Sequence, residues 1–92
     1  MNTKPHLETI EQRRAHKHAA AVKWAAAFFE IPETEVVAYN SGCCYNKVWV
    51  RTEESAQKCA AKVKGETVNG GLLDGMPLGS ISSYDGKFEV MC

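Results

Sequence analysis

The sequence has no excess of charge of either sign, because its 92 residues carry 11 basic and 11 acidic side chains. This balance argues against two classes of protein, a strongly basic nucleic-acid coat protein and an acidic protein that imitates DNA by its bulk charge. Any electrostatic partner must therefore be met by a local patch. The chain also lacks internal repeats and domain linkers, so we expect a single domain over residues 1–92.

Long hydrophobic runs are absent as well. The longest apolar run, Ala19–Phe29, is interrupted by Lys23 and is shorter than the roughly 20 residues that a helix needs to cross a bilayer. No signal peptide is visible. We therefore expect a cytosolic protein whose four cysteines are reduced thiols, although an even count would also allow two disulfides in a secreted protein.

The glycine-dense stretch "GETVNGGLLDGMPLG", residues 65–79, lacks the features of a phosphate-binding loop. A Walker-type loop needs Lys and then Ser or Thr directly after its glycines, whereas Gly75 is followed by Met76 and Pro77. The G-x-G-x-x-G spacing of dinucleotide-binding loops is also missing. The stretch is therefore predicted to be a connecting loop.

Metal-binding and catalytic spacings are missing in the same way. The sequence contains no C-x-x-C, the spacing that lets two thiolates reach one zinc ion. Cys43 and Cys44 are adjacent and would point to opposite sides of a strand, and His16 and His18 would lie on different faces of a helix. No base stands in a fixed relation to a cysteine nucleophile. The sequence therefore predicts a non-catalytic protein with no metal site, no cofactor and no small-molecule substrate.

The first predicted element is an alanine-rich helix over residues 7–30, from Leu7 to Glu30. It ends where Pro32 disfavours helical geometry at Ile31. At about 100° per residue, one arc of the helix is expected to face the core, and this arc contains Ala15, His18, Ala19, Val22, Ala26 and Phe29.

The rest of the chain predicts two hairpins with a helix between them. The runs "EVVAY" and "NKVWV" flank the turn-forming residues 40–42, and Asp85-Gly86 lies between two alternating runs near the C-terminus. Between the hairpins, Thr52 is expected to cap a second helix that Gly65 closes. Its apolar stripe is Ala56, Cys59, Ala60 and Val63. The order α-β-β-α-β-β predicts a small α+β domain, with an antiparallel β-sheet and two helices packed on one face.

Two rows of residues place a tryptophan beside cations on faces that we expect to be outside the core. In the strand "YNKVWVR", Val48 and Val50 lie on one face, and the tyrosine, the tryptophan and both cations lie on the other. A similar row runs along the first helix, on the side away from the core. The candidate partner-binding residues are Arg13, Arg14, Lys17, Trp24, Tyr45, Lys47, Trp49 and Arg51.

These rows have more than one reading. Trp, Tyr and Arg are enriched at interface hot spots, and aromatic residues beside cations also stack nucleic-acid bases while the cations contact phosphate. However, Lys and Arg stems also lie over tryptophan merely to cover apolar surface. A register error of one residue would bury Trp49. The residues alone therefore predict a binding module and leave its partner open.

The segment "KVKGETVNGGLLDGMPLGSIS", the alanine-rich opening helix and the 92-residue length resemble a family of phage-encoded anti-CRISPR proteins. The resemblance is to the type I-F inhibitors, nearest to the group numbered eight. It extends over the whole chain and rests on overall likeness, since these viral proteins share no common motif.

The resemblance implies immune evasion by binding in the host cell cytoplasm. Such proteins bind the type I-F CRISPR RNA-guided surveillance complex, also called the Csy or Cascade complex, and block target DNA hybridisation without catalysis. The expected partners are Cas subunits, with the guide RNA as a further contact and no membrane. The alternative is a small phage nucleic-acid-binding regulatory protein that uses the same rows on free RNA or DNA.

Overall fold

The first element of the fold is a well-capped helix. The computed structural model describes residues 9–92, and helix α1 covers Ile10–Phe29. The hydroxyl of Thr9 accepts the backbone N–H of Gln12 at 3.0 Å, and the Gln12 side-chain carbonyl accepts the Thr9 N–H at 2.9 Å. This capping box fixes the N-terminus of the helix at Ile10. The start predicted from sequence, Leu7, lies outside the described residues.

The helix ends where it was predicted to end. Glu30 adopts the left-handed conformation with φ 59°, and the N–H of Ile31 donates to the carbonyl of Ala26 at 3.0 Å. This is the bonding of a helix whose last carbonyls are satisfied by the returning chain. Ile31 then turns inward and is buried, which ties the end of the helix to the core.

The remaining elements form one antiparallel sheet and a second helix. In chain order they are a one-turn 3-10 helix η1 (Glu33–Glu35), β1 (Val36–Ser41), β2 (Asn46–Val50), α2 (Glu53–Lys62), β3 (Ile81–Tyr84) and β4 (Lys87–Met91). The strands lie side by side in the order β1-β2-β4-β3. Helix α1 packs on β1, and α2 packs on β4 and β2. The predicted α+β class is therefore confirmed.

One hydrophobic core lies between the sheet and the helices. Val48 and Val50 of β2 and Val90 of β4 are fully buried in it, and each contributes about 1.5–3 kcal/mol by burial. The helices contribute Ala25, Ala26, Phe29, Ala56, Cys59 and Val63. The predicted apolar stripe of α2 is confirmed, with Ala60 partly buried at its edge.

The core face predicted for β2 is also confirmed, since Val48 and Val50 are both fully buried. Val48 pairs with Val90 on the core side, and Trp49 pairs with Glu89 on the side away from the helices. Alternation then places Lys47 on the same outer face as Trp49. The Asp85-Gly86 turn joins β3 to β4, and both of its residues have positive φ, 52° and 77°.

The buried arc predicted for α1 is wrong in its first half. Ala15, His18 and Ala19 are exposed, whereas Val22 is partly buried and Phe29 is buried. The reason is length: a strand of five or six residues spans about 17–20 Å, and a helix of 20 residues spans about 30 Å. The N-terminal half of α1 therefore extends beyond the sheet, and no partner layer covers it within residues 9–92.

The first hairpin turn is two residues later than predicted. Asn40 pairs with Lys47 and Ser41 pairs with Asn46, so strand pairing continues through most of the expected turn. The turn occupies residues 42–45 instead. Cys43 and Cys44 therefore lie in a turn, and the expectation that they point to opposite sides of a strand is wrong.

The N-terminus of α2 is tied to η1 through one carboxylate. Thr52 caps the helix by accepting the N–H of Ser55 at 3.2 Å. The hydroxyls of Thr52 and Ser55 also donate to Oε1 of Glu35, at 2.7 and 2.8 Å. The Thr52 bond, then the Ser55 bond, lowers the pKa of Glu35 below its ordinary value of 4.5.

This arrangement makes stability depend on pH at the acid end. Because the pKa of Glu35 is lower in the folded state, its contribution is present above about pH 4.5 and is lost as pH falls through the folded pKa. We expect Glu35→Gln to reduce the fall in melting temperature between about pH 7 and pH 3. Glu33→Gln, at an exposed neighbour that makes no hydrogen bond through its side chain within residues 9–92, is the matched control. If the melting temperature of Glu35→Gln falls between about pH 7 and pH 3 as much as that of wild type, the lowered pKa of Glu35 does not contribute to stability.

The glycine-dense stretch is a connecting loop, as predicted, and it is held by its own backbone bonds. The N–H of Val68 donates to the carbonyl of Met76 at 2.8 Å, and the N–H of Leu78 donates to that of Glu66 at 2.9 Å. Val68 is buried beneath the loop, whereas Leu72 at its tip is fully exposed. The loop therefore exposes the apolar side chain of Leu72, while backbone hydrogen bonds close the base of the loop.

Candidate functional site

A groove lies between the middle of α1 and the end of β1, and we call it the helix groove. It has a volume of about 520 Å³, and its walls include Lys17, His18, Trp24, Tyr39 and Asn40. The Trp24 side chain is 51% exposed. An exposed indole in a concave site is typical of the anchors on which binding energy concentrates.

Other aromatic rings hold the Trp24 indole in place. Its ring stacks on Phe28 with centroids 4.9 Å apart and planes 9° apart, and the Tyr39 ring lies 5.1 Å away. Beyond them, the Lys62 Nζ lies 5.1 Å from the centre of the Phe28 ring. Aromatic pairs contribute about 0.5–1.5 kcal/mol beyond their buried area, so the indole is ordered before any partner arrives. Burial, with a smaller effect of Cys92, raises the pKa of Tyr39, whose hydroxyl therefore stays a neutral donor.

The N-terminal half of α1 presents unpaired cations. Arg13, Arg14 and Lys17 are exposed, and none of them forms an ion pair with another residue of the described chain, 9–92. Acidic residues instead follow the helix, at Glu30, Glu33 and Glu35. Although the chain as a whole is neutral, a local group of cations therefore lies in the first half of α1 and a local group of glutamates lies just after its end.

A second groove lies on the outer face of the sheet, and we call it the sheet groove. Its volume is about 580 Å³, and its walls include Tyr45, Lys47, Trp49 and Leu72. Trp49 is partly buried there. The Nζ of Lys47 lies 2.9 Å from Oε2 of Glu89, and that hydrogen-bonded ion pair raises the pKa of Lys47. This groove is therefore more apolar and less positively charged than the sequence row suggested.

Arg51, the last residue of the strand row, serves the fold. Its Nε donates to the carbonyl of Thr34 at 2.7 Å, and its backbone N–H donates to the carbonyl of Glu35 at 3.0 Å. These bonds join the end of β2 to η1. The Arg51 side chain is exposed and retains further N–H donors, but the bond from its Nε to Thr34 holds it in place.

The two grooves meet at Asn40, which lines both of them. Lys17 and Trp24 lie in the helix groove, and Tyr45, Lys47 and Trp49 lie in the sheet groove. Arg13 and Arg14 lie further along α1, and Arg51 lies beyond the other end of the strand row, so these three line neither groove. The structure thus brings five of the eight candidate residues around the end of the edge strand β1.

Sequence reasoning missed several residues that shape this surface. The spacing of four between Trp24 and Phe28 was a usable signal, because residues four apart on a helix are neighbours. Tyr39 gave no such signal, since its contact with Trp24 depends on how α1 packs on β1. Leu72 also gave none, because its position depends on the path of an irregular loop.

Residues 9–92 lack two further features. No group of three or more His, Cys, Asp or Glu side chains in this range is placed to hold a metal ion. No helix in the same range has the length and apolar character needed to cross a membrane.

Both grooves thus combine an indole with neighbouring cationic and aromatic side chains, in the manner of a surface for a macromolecular partner. Comparison of the chain with protein-family models, with curated proteins and with solved structures finds no match.

Proposed function

We propose that this protein is a non-catalytic anti-CRISPR inhibitor, which binds the type I-F RNA-guided surveillance complex in the host cytoplasm and blocks target DNA hybridisation. The observation that supports a binding role is the half-exposed Trp24 indole, held by Phe28 and Tyr39 in a groove that Lys17 also lines. The choice of partner is supported by the resemblance of the chain to the type I-F inhibitors.

The separation of charge suggests how such a complex would be oriented. Guided complexes hold their RNA–DNA heteroduplex in a positively charged channel and recognise its backbone. The basic half of α1 suits the phosphates of the guide RNA, and the exposed Glu30 and Glu33 that follow α1 suit basic residues of the Cas subunits. A rigid protein lodged in this way excludes the target strand by occupying its path.

The proposal is tested by mixing the purified protein with the purified type I-F complex before or after target DNA is added. We expect a complex that is stable in gel filtration, and loss of DNA binding when the protein is added first, because both occupy the same site. When target DNA is added first, the loss should be smaller, since a long hybridised strand leaves the site slowly. The absence of a complex at micromolar concentration would overturn the proposal. So would a complex that still binds DNA.

The exposed cations of α1 also favour a second candidate function, a small regulator that binds free nucleic acid. These cations, Arg13, Arg14 and Lys17, lie within two turns of the N-terminal half of α1. Within residues 9–92, no other layer covers that half of the helix. Such binding would release counterions and weaken steeply with salt. Titration of free RNA and free duplex DNA at two salt concentrations separates this function from the first, which requires the assembled complex.

A further inference from the structure

The turn between β1 and β2 holds two thiols side by side. The Sγ atoms of Cys43 and Cys44 lie 3.4 Å apart. One shared donor closes the turn: the N–H of Gly42 donates to the carbonyl of Tyr45 at 3.1 Å and to Oδ1 of Asn46 at 3.2 Å. A Cβ at position 42 would lie 2.5 Å from the Tyr45 carbonyl oxygen, so only glycine fits there. The thiols are therefore presented by a fixed turn.

The glycine-dense loop leaves room for these thiols. Gly71, with φ 74°, lies so close that a Cβ would come within 2.9 Å of the Cys44 Sγ. The loop itself is held by the N–H of Gly70, which donates to Oδ1 of Asp74 at 2.6 Å. Both cysteines line the sheet groove, about 580 Å³, together with Trp49 and Leu72. An apolar cavity thus opens directly beside the paired sulfur atoms.

The sulfur separation favours a bridging atom over a direct disulfide. Adjacent Cα atoms are about 3.8 Å apart, below the roughly 4.4–6.8 Å that disulfides prefer, so a bond between Cys43 and Cys44 would be strained. With bonds of about 2.3 Å to a shared centre, a separation of 3.4 Å corresponds to an angle of about 95° at that centre.

Few thiophilic centres match this geometry. A tetrahedral zinc ion holds its sulfur atoms about 3.8 Å apart and needs two further ligands. Within residues 9–92 no third His, Cys, Asp or Glu side chain completes such a set. A trivalent arsenic centre is pyramidal, with bond angles near a right angle, and needs only two sulfur atoms and one further substituent.

We propose that Cys43 and Cys44 form a two-thiol binding site for trivalent organic arsenicals, with the organic substituent in the sheet groove. For phenylarsine oxide, the arsenic–oxygen double bond breaks and two As–S bonds form. Both thiol protons leave with the oxygen as one water molecule, and arsenic stays trivalent, so no oxidant is required. The phenyl ring then lies among the apolar walls that Trp49 and Leu72 provide.

The other two cysteines do not offer such a site. Cys59 is fully buried, and burial raises the pKa of its thiol to about 11. Burial, with a smaller effect of Cys59, raises the pKa of Cys92 to about 12. Cys44 also has a raised pKa, first because of its hydrogen bond with Cys43, but it is open to the groove. Cys92 is partly buried, as Cys44 is, so the difference is that both cysteines of the turn line the same groove, whereas Cys59 is sealed in the core.

The test is a titration of the full-length protein with phenylarsine oxide, followed by intact mass and by competition with thiols. Wild type is expected to bind one equivalent, to keep it in excess glutathione and to release it to ethane-1,2-dithiol. Cys43→Ser and Cys44→Ser should each bind at least about 100-fold more weakly, because the second As–S bond forms within one molecule. Cys92→Ser, which also retains three thiols, should bind as wild type does.

Two further measurements keep the result clear. Gly71→Ala retains both thiols but crowds Cys44, and it should weaken binding while circular dichroism confirms the fold. In a Trp24→Phe background, the fluorescence of Trp49 should change and saturate at one equivalent. Equal binding by Cys43→Ser or Cys44→Ser and wild type, or an adduct on Cys59 and Cys92, would overturn the site. An unchanged Trp49 signal would overturn the placement of the substituent.

Discussion

The triple variant Arg13→Glu/Arg14→Glu/Lys17→Glu is expected to lose about 10²–10³-fold in affinity for the type I-F complex. Each reversal places a like charge against a phosphate or an acidic patch, and such juxtaposition costs several kcal/mol in total at about 1.4 kcal/mol per tenfold. The fold should remain intact, because all three side chains are exposed and unpaired within residues 9–92. Affinity is measured by surface plasmon resonance and stability by thermal melting.

A matched control changes charge elsewhere on the surface. Lys58→Glu/Lys64→Glu alters exposed cations on and just after α2, away from both grooves, and should leave affinity nearly unchanged. Raising the salt concentration should weaken wild type more than the triple variant, since fewer charge contacts remain to be screened. If the triple variant binds as wild type does, the basic half of α1 is not part of the interface.

Phe29→Ala is expected to remove about 3–5 kcal/mol from the free energy of unfolding, because Phe29 is buried in the core with 3% exposure. A domain of 92 residues has about 5–14 kcal/mol in total, so this variant should be partly unfolded near body temperature. The adjacent Phe28→Ala removes a ring that is 40% exposed, and it should cost only about 1 kcal/mol. Urea titration followed by circular dichroism measures both.

The two variants Phe28→Ala and Phe29→Ala also separate an effect on stability from an effect on binding. Phe28→Ala keeps the core but removes the stacking partner of Trp24, so it should weaken binding to the complex while the protein stays folded. Similar losses of stability in both variants would mean that α1 is rotated about its axis. In that case Trp24 would not face the helix groove.

Much of the sheet could be predicted because its signals are local. The alternation of Val48 and Val50 with Lys47 and Trp49 determines the faces of β2, and Asp85-Gly86 determines the second hairpin. The first turn was misplaced because Asn40 and Ser41, although typical of turns, gain more from pairing with β2.

The half of α1 that extends past the sheet could not be predicted, because periodicity shows which residues share a face and not how far a partner layer reaches. Ala15 and Ala19 have the spacing of core residues but no strand beneath them. The candidate site shows the same limit. Sequence placed Lys47 beside Trp49, but the pairing of Lys47 with Glu89 depends on β4, which lies about 40 residues away in the chain.

The extension of α1 past the sheet determines what shape of receptor the protein can enter. A single helix with its side chains is about 10–12 Å across, and the ten or so free residues reach about 15 Å from the body. A slot between neighbouring subunits that is too narrow for the sheet would still admit the N-terminal half of α1. In the proposed complex, the sheet would therefore limit how deeply the described part of α1 enters such a slot.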